Sequence, residues 1–142
     1  MNPREYLALA AELASADSAA KRRTAISRAY YAAFHVGAQT LRAMGFRVSR
    51  GGAGHGEVAH CFANSANRET NDASRWLSDL HSFRNRADYH LDAVDVELPG
   101  KAAAAVANAQ SIIDAIDRIL SGPNRAQIQA TIAAWRKGNG YP

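Results

Sequence analysis

The chain reads as an all-α protein, an up-and-down helical bundle with short accessory helices. Three observations predict this. Alanine, the best helix former, dominates the apolar fraction. Val, Ile and Thr never gather into the alternating runs that a strand requires. Apolar residues instead recur at three- and four-residue spacing along several long segments. With 142 residues, 47% hydrophobic and 21% charged, the chain is long enough for one real core and too apolar to be disordered. A single domain over 1–142 is expected, with its core at about 18–120 and a C-terminal amphipathic helix at about 123–137.

Asn2-Pro3-Arg4-Glu5 has the form of a helix start, with Asn as cap, Pro at the first helical position and Glu three residues after the cap. Tyr6, Leu9, Ala10 and Leu13 mark the buried face of this short helix. Asp17 or Ser18 caps a long second helix reaching Met44, and Gly45 stops it. Ile26, Tyr30, Phe34 and Leu41 lie along one of its faces. Arg50 to Gly54 reads as a flexible connector, followed by a short helix over Glu57–Ala63. Asn71 or Asp72 opens a fourth helix in which Trp76, Leu80, Phe83, Ala87 and Leu91 recur at helical spacing. The pattern breaks over Asp92–Leu98. Pro99 starts a fifth helix with Val106, Ile113, Ile116 and Leu120 facing inward, and Gly122-Pro123 ends it. Ile128, Ile132 and Trp135 mark a last amphipathic helix before a polar tail, Gly138–Pro142. Short connections between such helices give a bundle.

Seventeen basic against thirteen acidic residues leave a net charge of +4, mostly from arginine. That balance is compatible with a polyanionic partner, and guanidinium groups bind phosphate in bidentate fashion. Cys61 is the only cysteine, so no intrachain disulfide forms and a reducing compartment is expected. Arg4, Glu5 and Glu12 interrupt any secretory pattern, and no apolar run approaches membrane-spanning length. A cytoplasmic location without membrane contact is the expectation.

Glycines at 51, 52, 54 and 56 match neither G-x-x-x-x-G-K-[ST] nor G-x-G-x-x-G, and no strand precedes them. His55-Gly56-Glu57-Val58-Ala59-His60 falls short of a zinc-protease helix. Its histidines are five apart and so turned roughly 140° from each other on a helix. The P-C-x-x-C half of a deaminase zinc site is missing as well. No metal site is expected. Ser27, His35 and Cys61 carry no local signature of a nucleophile or base. Tyr30 and Tyr31 are adjacent, so only one can enter the core. The other is available to solvent, a groove or a partner subunit.

Two segments carry the chemistry: Ser27-Arg28-Ala29-Tyr30-Tyr31-Ala32-Ala33-Phe34-His35 and Arg84-Asn85-Arg86-Ala87-Asp88-Tyr89-His90. The second sets arginines, an aspartate, a tyrosine and a histidine beside an apolar stripe. On a helical wheel His90 falls just inside that stripe, and Arg84 lies at its other margin. Arg84 and Asp88 are spaced for an i,i+4 ion pair, an ordinary surface contribution of about 0.3–0.5 kcal/mol. In that reading Arg86 simply flanks a histidine at the edge of the core.

From about Ser18 to Leu120 the chain resembles HEPN domains, small all-α proteins often found in toxin–antitoxin operons. Arg84, Asn85 and His90 are similar to the R-x(4–6)-H signature of HEPN ribonucleases. Arg84-x-x-Ala87-Asp88-Tyr89 equally resembles the R-x-x-A-D-Y mark of a large HEPN subfamily in which the histidine is not a fixed feature. His55, followed seven residues later by Phe62, is also familiar in such sequences, where it would cap the short helix. The resemblance implies a metal-independent, cofactor-free endoribonuclease acting on RNA. Histidine titrates in the range needed to take the 2′-hydroxyl proton, and arginine steadies the charge growing on phosphate. The products would be a 2′,3′-cyclic phosphate and a 5′-hydroxyl. Arg84, His90 and Asn85 would be the catalytic group, with Asp88 and Tyr89 shaping the site. On a straight helix Arg84 and His90 diverge by roughly 120°, so both reach one phosphate only through helix distortion or a second subunit. The resemblance implies a homodimer, with Tyr30 or Tyr31 at the interface. It also implies an alternative role: a non-catalytic module paired with a minimal nucleotidyltransferase antitoxin. In such pairs the modified tyrosine usually lies two residues after the histidine, where this chain has Asp92.

Overall fold

A computed structural model describes residues 1–142. All regular structure is helical: α1 (Arg4–Ala14), α2 (Ala19–Ala43), α3 (Ala53–Ala63), α4 (Arg68–Tyr89), α5 (Lys101–Ser121) and α6 (Arg125–Gly138), with a 3-10 turn at Val94–Glu97. The long helix α2 is the centre of the bundle and packs against α1, α4 and α5. α3 lies against α4, and α6 closes the far end against α3 and α5. The core is built from Ile26, Tyr30, Phe34 and Leu41 of α2, Val58 and Phe62 of α3, and Leu77 and Leu80 of α4. Ile112, Ile113 and Ile116 of α5 complete it with Ile128 and Ile132 of α6. No helix is long and apolar enough to cross a membrane.

Caps explain several of the boundaries. Asn2 Oδ1 accepts the Arg4 N–H at 3.0 Å. Ser18, not Asp17, caps α2, its hydroxyl accepting the Lys21 N–H at 3.3 Å. Gly45 ends α2 at φ +91°, a left-handed conformation that spares glycine the Cβ clash, and Phe46 N–H turns back to the Leu41 carbonyl at 3.0 Å.

Several expectations need correction. Helix α3 begins at Ala53, four residues before Glu57. Gly54 is therefore helical, and it is glycine because a Cβ there would lie 2.3 Å from the Ser49 carbonyl oxygen. Helix α4 begins three residues before Asn71, because Asn67 caps it by accepting from both the Thr70 N–H (3.0 Å) and the Thr70 hydroxyl (2.9 Å). Its buried face is Thr70, Ala73, Ser74, Leu77, Leu80 and Ala87. Trp76 and Leu91, read as part of that stripe, are exposed, as is Leu9 of α1. Pro99 precedes α5 without joining it; Gly100, at φ +92°, is the residue before the helix.

The tail is ordered on one side chain. Arg136 is buried and pairs with buried Glu57 at 3.3 Å. It also donates to the carbonyls of Arg47 (2.7 Å) and Pro142 (3.4 Å), and its guanidinium lies 4.8 Å from the Tyr141 ring centre.

Candidate functional site

The segments Ser27–His35 and Arg84–His90 meet where α2 crosses α4. Arg84 is the hub, its side chain only 11% exposed. Its Nη2 donates to the Tyr31 hydroxyl at 2.6 Å, and Nη1 donates to Asn85 Oδ1 at 3.1 Å. Nε lies 2.9 Å from Asp88 Oδ2, the expected i,i+4 pair. The Nε–H is not aimed at that oxygen, however, and has no adequate acceptor. Asp88 Oδ2 is also engaged by the Ser27 hydroxyl at 2.9 Å, which in turn accepts from Arg28 Nη2 at 3.3 Å. The Tyr31 ring lies between two guanidiniums, Arg84 at 4.9 Å and Arg28 at 4.8 Å. Tyr89, 69% exposed, brings its hydroxyl to 3.5 Å from Arg84 Nη2.

The helical spacing that defined this constellation therefore brings Arg84, Asn85, Asp88, Tyr89 and Tyr31 together. Tyr30 takes the other path. It is 1% exposed, so Tyr31 is the only one of the pair that can meet a partner. The Tyr30 hydroxyl is 2.6 Å from His55 Nδ1. Burial holds that phenol far above its usual pKa, so it stays protonated beside the imidazole. His55 is thus tied to the core and does not cap α3, as its place in the sequence implied; α3 has no side-chain cap.

His90 departs from the wheel. It is exposed, it follows the last residue of α4, and its backbone (φ −112°, ψ 82°) has left helical geometry. Its imidazole makes no hydrogen bond, ion pair or ring contact. Arg86 pairs with Asp95 at 2.5 Å and does not flank that imidazole.

The reason for this ending is Arg23, a residue that no sequence motif marks. Its guanidinium uses all five N–H donors. Nε pairs with Glu97 at 2.7 Å, Nη1 donates to the carbonyls of Ala87 (2.9 Å) and His90 (3.1 Å), and Nη2 donates to those of Leu91 (3.3 Å) and Ala93 (3.1 Å). These include carbonyls that a helix C-terminus leaves orphaned. Arg23 thereby stops α4 at Tyr89 and fixes the backbone of His90. No local pattern marks it, because Arg23 sits in the polar run Lys21-Arg22-Arg23-Thr24 near the start of α2.

Two further histidines stand near Arg84. His81 stacks on Tyr30 with ring centres 4.8 Å apart and on His55 at 5.1 Å. Burial lowers the pKa of both imidazoles, and the positive charge of Arg84 lowers them further; His81 adds to the effect on His55. His81 went unread because nothing in the sequence ties it to Arg84, three residues on.

Comparison of the chain with family models, curated proteins and solved structures gives no match. The site therefore has to be read from its own residues. Glu57 is committed to Arg136 and His55 to Tyr30, while His60 is exposed. The three side chains of the near-zinc segment thus serve different partners, and no group of three or more His, Cys, Asp or Glu is placed to hold a metal ion. Cys61 is buried, which raises its pKa despite the neighbouring Arg136. A buried neutral thiol is a poor nucleophile.

Proposed function

We propose that this protein is a metal-independent endoribonuclease of the HEPN type, acting as a toxin. The observation that carries the reading is the state of Arg84. Its guanidinium is nearly buried and positioned by Tyr31, yet its Nε–H has no aimed acceptor, and its charge is shared with a single carboxylate. A guanidinium whose orientation is fixed by Tyr31 and Asn85 is prepared to offer its Nη groups to phosphate oxygens. The chain leaves helical geometry at His90, and since no contact joins its imidazole to Arg84, this reading has the phosphate itself, or a second copy of the chain, bring the two groups together.

In this mechanism His90 takes the proton from a ribose 2′-hydroxyl. The 2′-oxygen then bonds to the adjacent phosphorus while Arg84 stabilises the charge on the non-bridging oxygens. The bond from phosphorus to the 5′-oxygen breaks, and that oxygen takes a proton from water to leave as a 5′-hydroxyl, opposite a 2′,3′-cyclic phosphate, while the imidazolium of His90 returns its proton to solvent. Asn85 and Asp88 position Arg84 from either side. Tyr89 and Tyr31 form the walls of the site, and a second copy facing across Tyr31 would make a homodimer with the two sites adjacent.

A second reading is favoured by one feature. Tyr89 is exposed, and the segment that follows it in the chain carries three exposed apolar side chains, Leu91, Val94 and Leu98. This arrangement fits a non-catalytic module docking a nucleotidyltransferase antitoxin. Purified protein incubated with labelled tRNA and mRNA in EDTA separates the two. The ribonuclease reading expects fragments that disappear with Arg84→Ala and with His90→Ala. Intact RNA, with folded protein confirmed, favours the docking module.

A further inference from the structure

Helix α2 carries five basic residues, Lys21, Arg22, Arg23, Arg28 and Arg42, and no acidic one over 25 residues. Arg28, Tyr31, His35, Gln39 and Arg42 fall at spacings of three or four, within roughly 80° of arc at 100° per residue, and so share one face about 21 Å long. Along the middle of the helix this face is only partly covered: Arg28, Tyr31 and His35 are half-buried, and Gln39 and Arg42 are exposed.

Two features mark the face as a binding surface. The first is its charge. Eight arginines elsewhere in the chain, Arg84 included, have a carboxylate within 4.0 Å. Six arginines have none, and three of these, Arg28, Arg42 and the neighbouring Arg50, lie on or beside this one face; the others are Arg47, Arg68 and Arg125. Two surface hollows of about 250 and 370 Å³ flank His35 and Arg42, one reaching Tyr6 and the other reaching Arg50, and neither is lined by a carboxylate. The second feature is its rings. His35 stacks against Tyr31 at 5.9 Å and against Tyr6 at 6.1 Å, and Arg28 bridges the two tyrosines at 4.8 and 5.2 Å. Flat rings and guanidiniums without carboxylate partners thus share one line, and that line begins at Arg84 through its bond to Tyr31.

We infer that this face of α2 is a track for single-stranded RNA, leading from Arg84 past Tyr31 and His35 to Arg42 and Arg50. The inference rests on the ribonuclease reading for the choice of RNA. Guanidiniums contact successive phosphates, while unstacked bases lie on the tyrosine and histidine rings. A duplex keeps its bases stacked inside and cannot use those rings. The track therefore selects loops and unpaired segments with little preference for sequence.

The test reads binding separately from cleavage. A fluorescein-labelled 2′-O-methyl RNA 12-mer, which lacks the free 2′-hydroxyl, is titrated by fluorescence anisotropy from 50 to 200 mM salt, and unmodified RNA is assayed for cleavage in parallel. Arg50→Gln and Arg42→Gln are each expected to weaken binding at least fivefold and to flatten the dependence of log affinity on log salt by roughly 0.7, the contribution of one phosphate contact to a single strand. Arg50 makes no hydrogen bond or ion pair, so its variant tests the track even if losing the Arg42 bond to the Val48 carbonyl disturbs folding. Arg75→Gln, on the exposed side of α4, should bind as wild type. Duplex RNA and polyaspartate should bind at least tenfold more weakly than the 12-mer. Wild-type affinity in both track variants, equal affinity for duplex or polyaspartate, or no binding of the 12-mer would overturn the track. Cleavage with unchanged affinity in the variants would sink the track and leave the ribonuclease. Binding lost in the variants, with no cleavage by wild type, would do the reverse.

Discussion

Replacing Arg23 by alanine removes the clamp on the end of α4, and the structure sets the size of the effect. Arg23 is 8% exposed and holds four backbone carbonyls and one carboxylate. Hydrogen bonds to charged groups contribute about 1.5–3 kcal/mol each, but the carbonyls of the exposed His90–Leu91 segment regain water once the clamp is gone. The Ala87 carbonyl and Glu97 lose most, because one lies at a buried residue and the other keeps a charge without its partner. Breaking one side of such a pair costs about 3–5 kcal/mol, and that is the expected loss for Arg23→Ala in urea unfolding. Arg23→Lys keeps the charge but has three donors on a single point, so it should recover no more than half. Proteolysis under native conditions should then cut first between Tyr89 and Ala93. A loss below 1 kcal/mol for Arg23→Ala, or equal stability of the lysine and wild-type proteins, would refute the clamp.

Arg136→Met should destabilise by about 3–5 kcal/mol by leaving Glu57 buried and unpaired, and adding Glu57→Gln should restore part of it; thermal melts of the three variants decide this. Stability should also fall on mild acidification. The folded pKa values of His35, His55 and His81 lie below the ordinary 6.5, so below that pH the unfolded chain takes up protons that the folded one does not. Stability is full above pH ~6.5 and declines toward the folded values; the urea midpoint should drop between pH 7.5 and 5.5, and the drop should shrink in His55→Gln/His81→Gln. An unchanged midpoint in wild type would contradict the burial assigned to these rings.

The all-α class and the long helices were legible because caps and periodicity act locally: Asn2, Ser18 and Gly45 do what their residue types favour. Errors arose where a residue answers to a distant group. Gly54 looked like a loop residue and is a helical one, since the Ser49 carbonyl leaves no space for a Cβ. Trp76 matched an apolar stripe by type, but Thr70 and Ser74 fill part of the buried face with hydroxyls that have local partners; Leu91 left the stripe because α4 ends at Tyr89. At the site, Arg84–Asp88 was legible from its four-residue spacing. Arg23, Arg136 and His81 were not, because their partners lie across the bundle and leave no mark on neighbouring residues.

The central claim is that Arg84 and His90 act on a phosphate, and the most direct test compares cleavage with stability at those two positions. Wild-type protein in EDTA should produce fragments ending in 2′,3′-cyclic phosphate and beginning with 5′-hydroxyl. Arg84→Lys should lose most of that cleavage, because lysine cannot hold two phosphate oxygens in one plane, and His90→Gln should abolish it. The exposed, unpartnered imidazole means that His90→Gln should leave the melting temperature within about 2 °C of wild type. If His90→Gln protein cuts RNA as fast as wild type, His90 is not the base. If wild type cuts nothing, the ribonuclease account is contradicted outright.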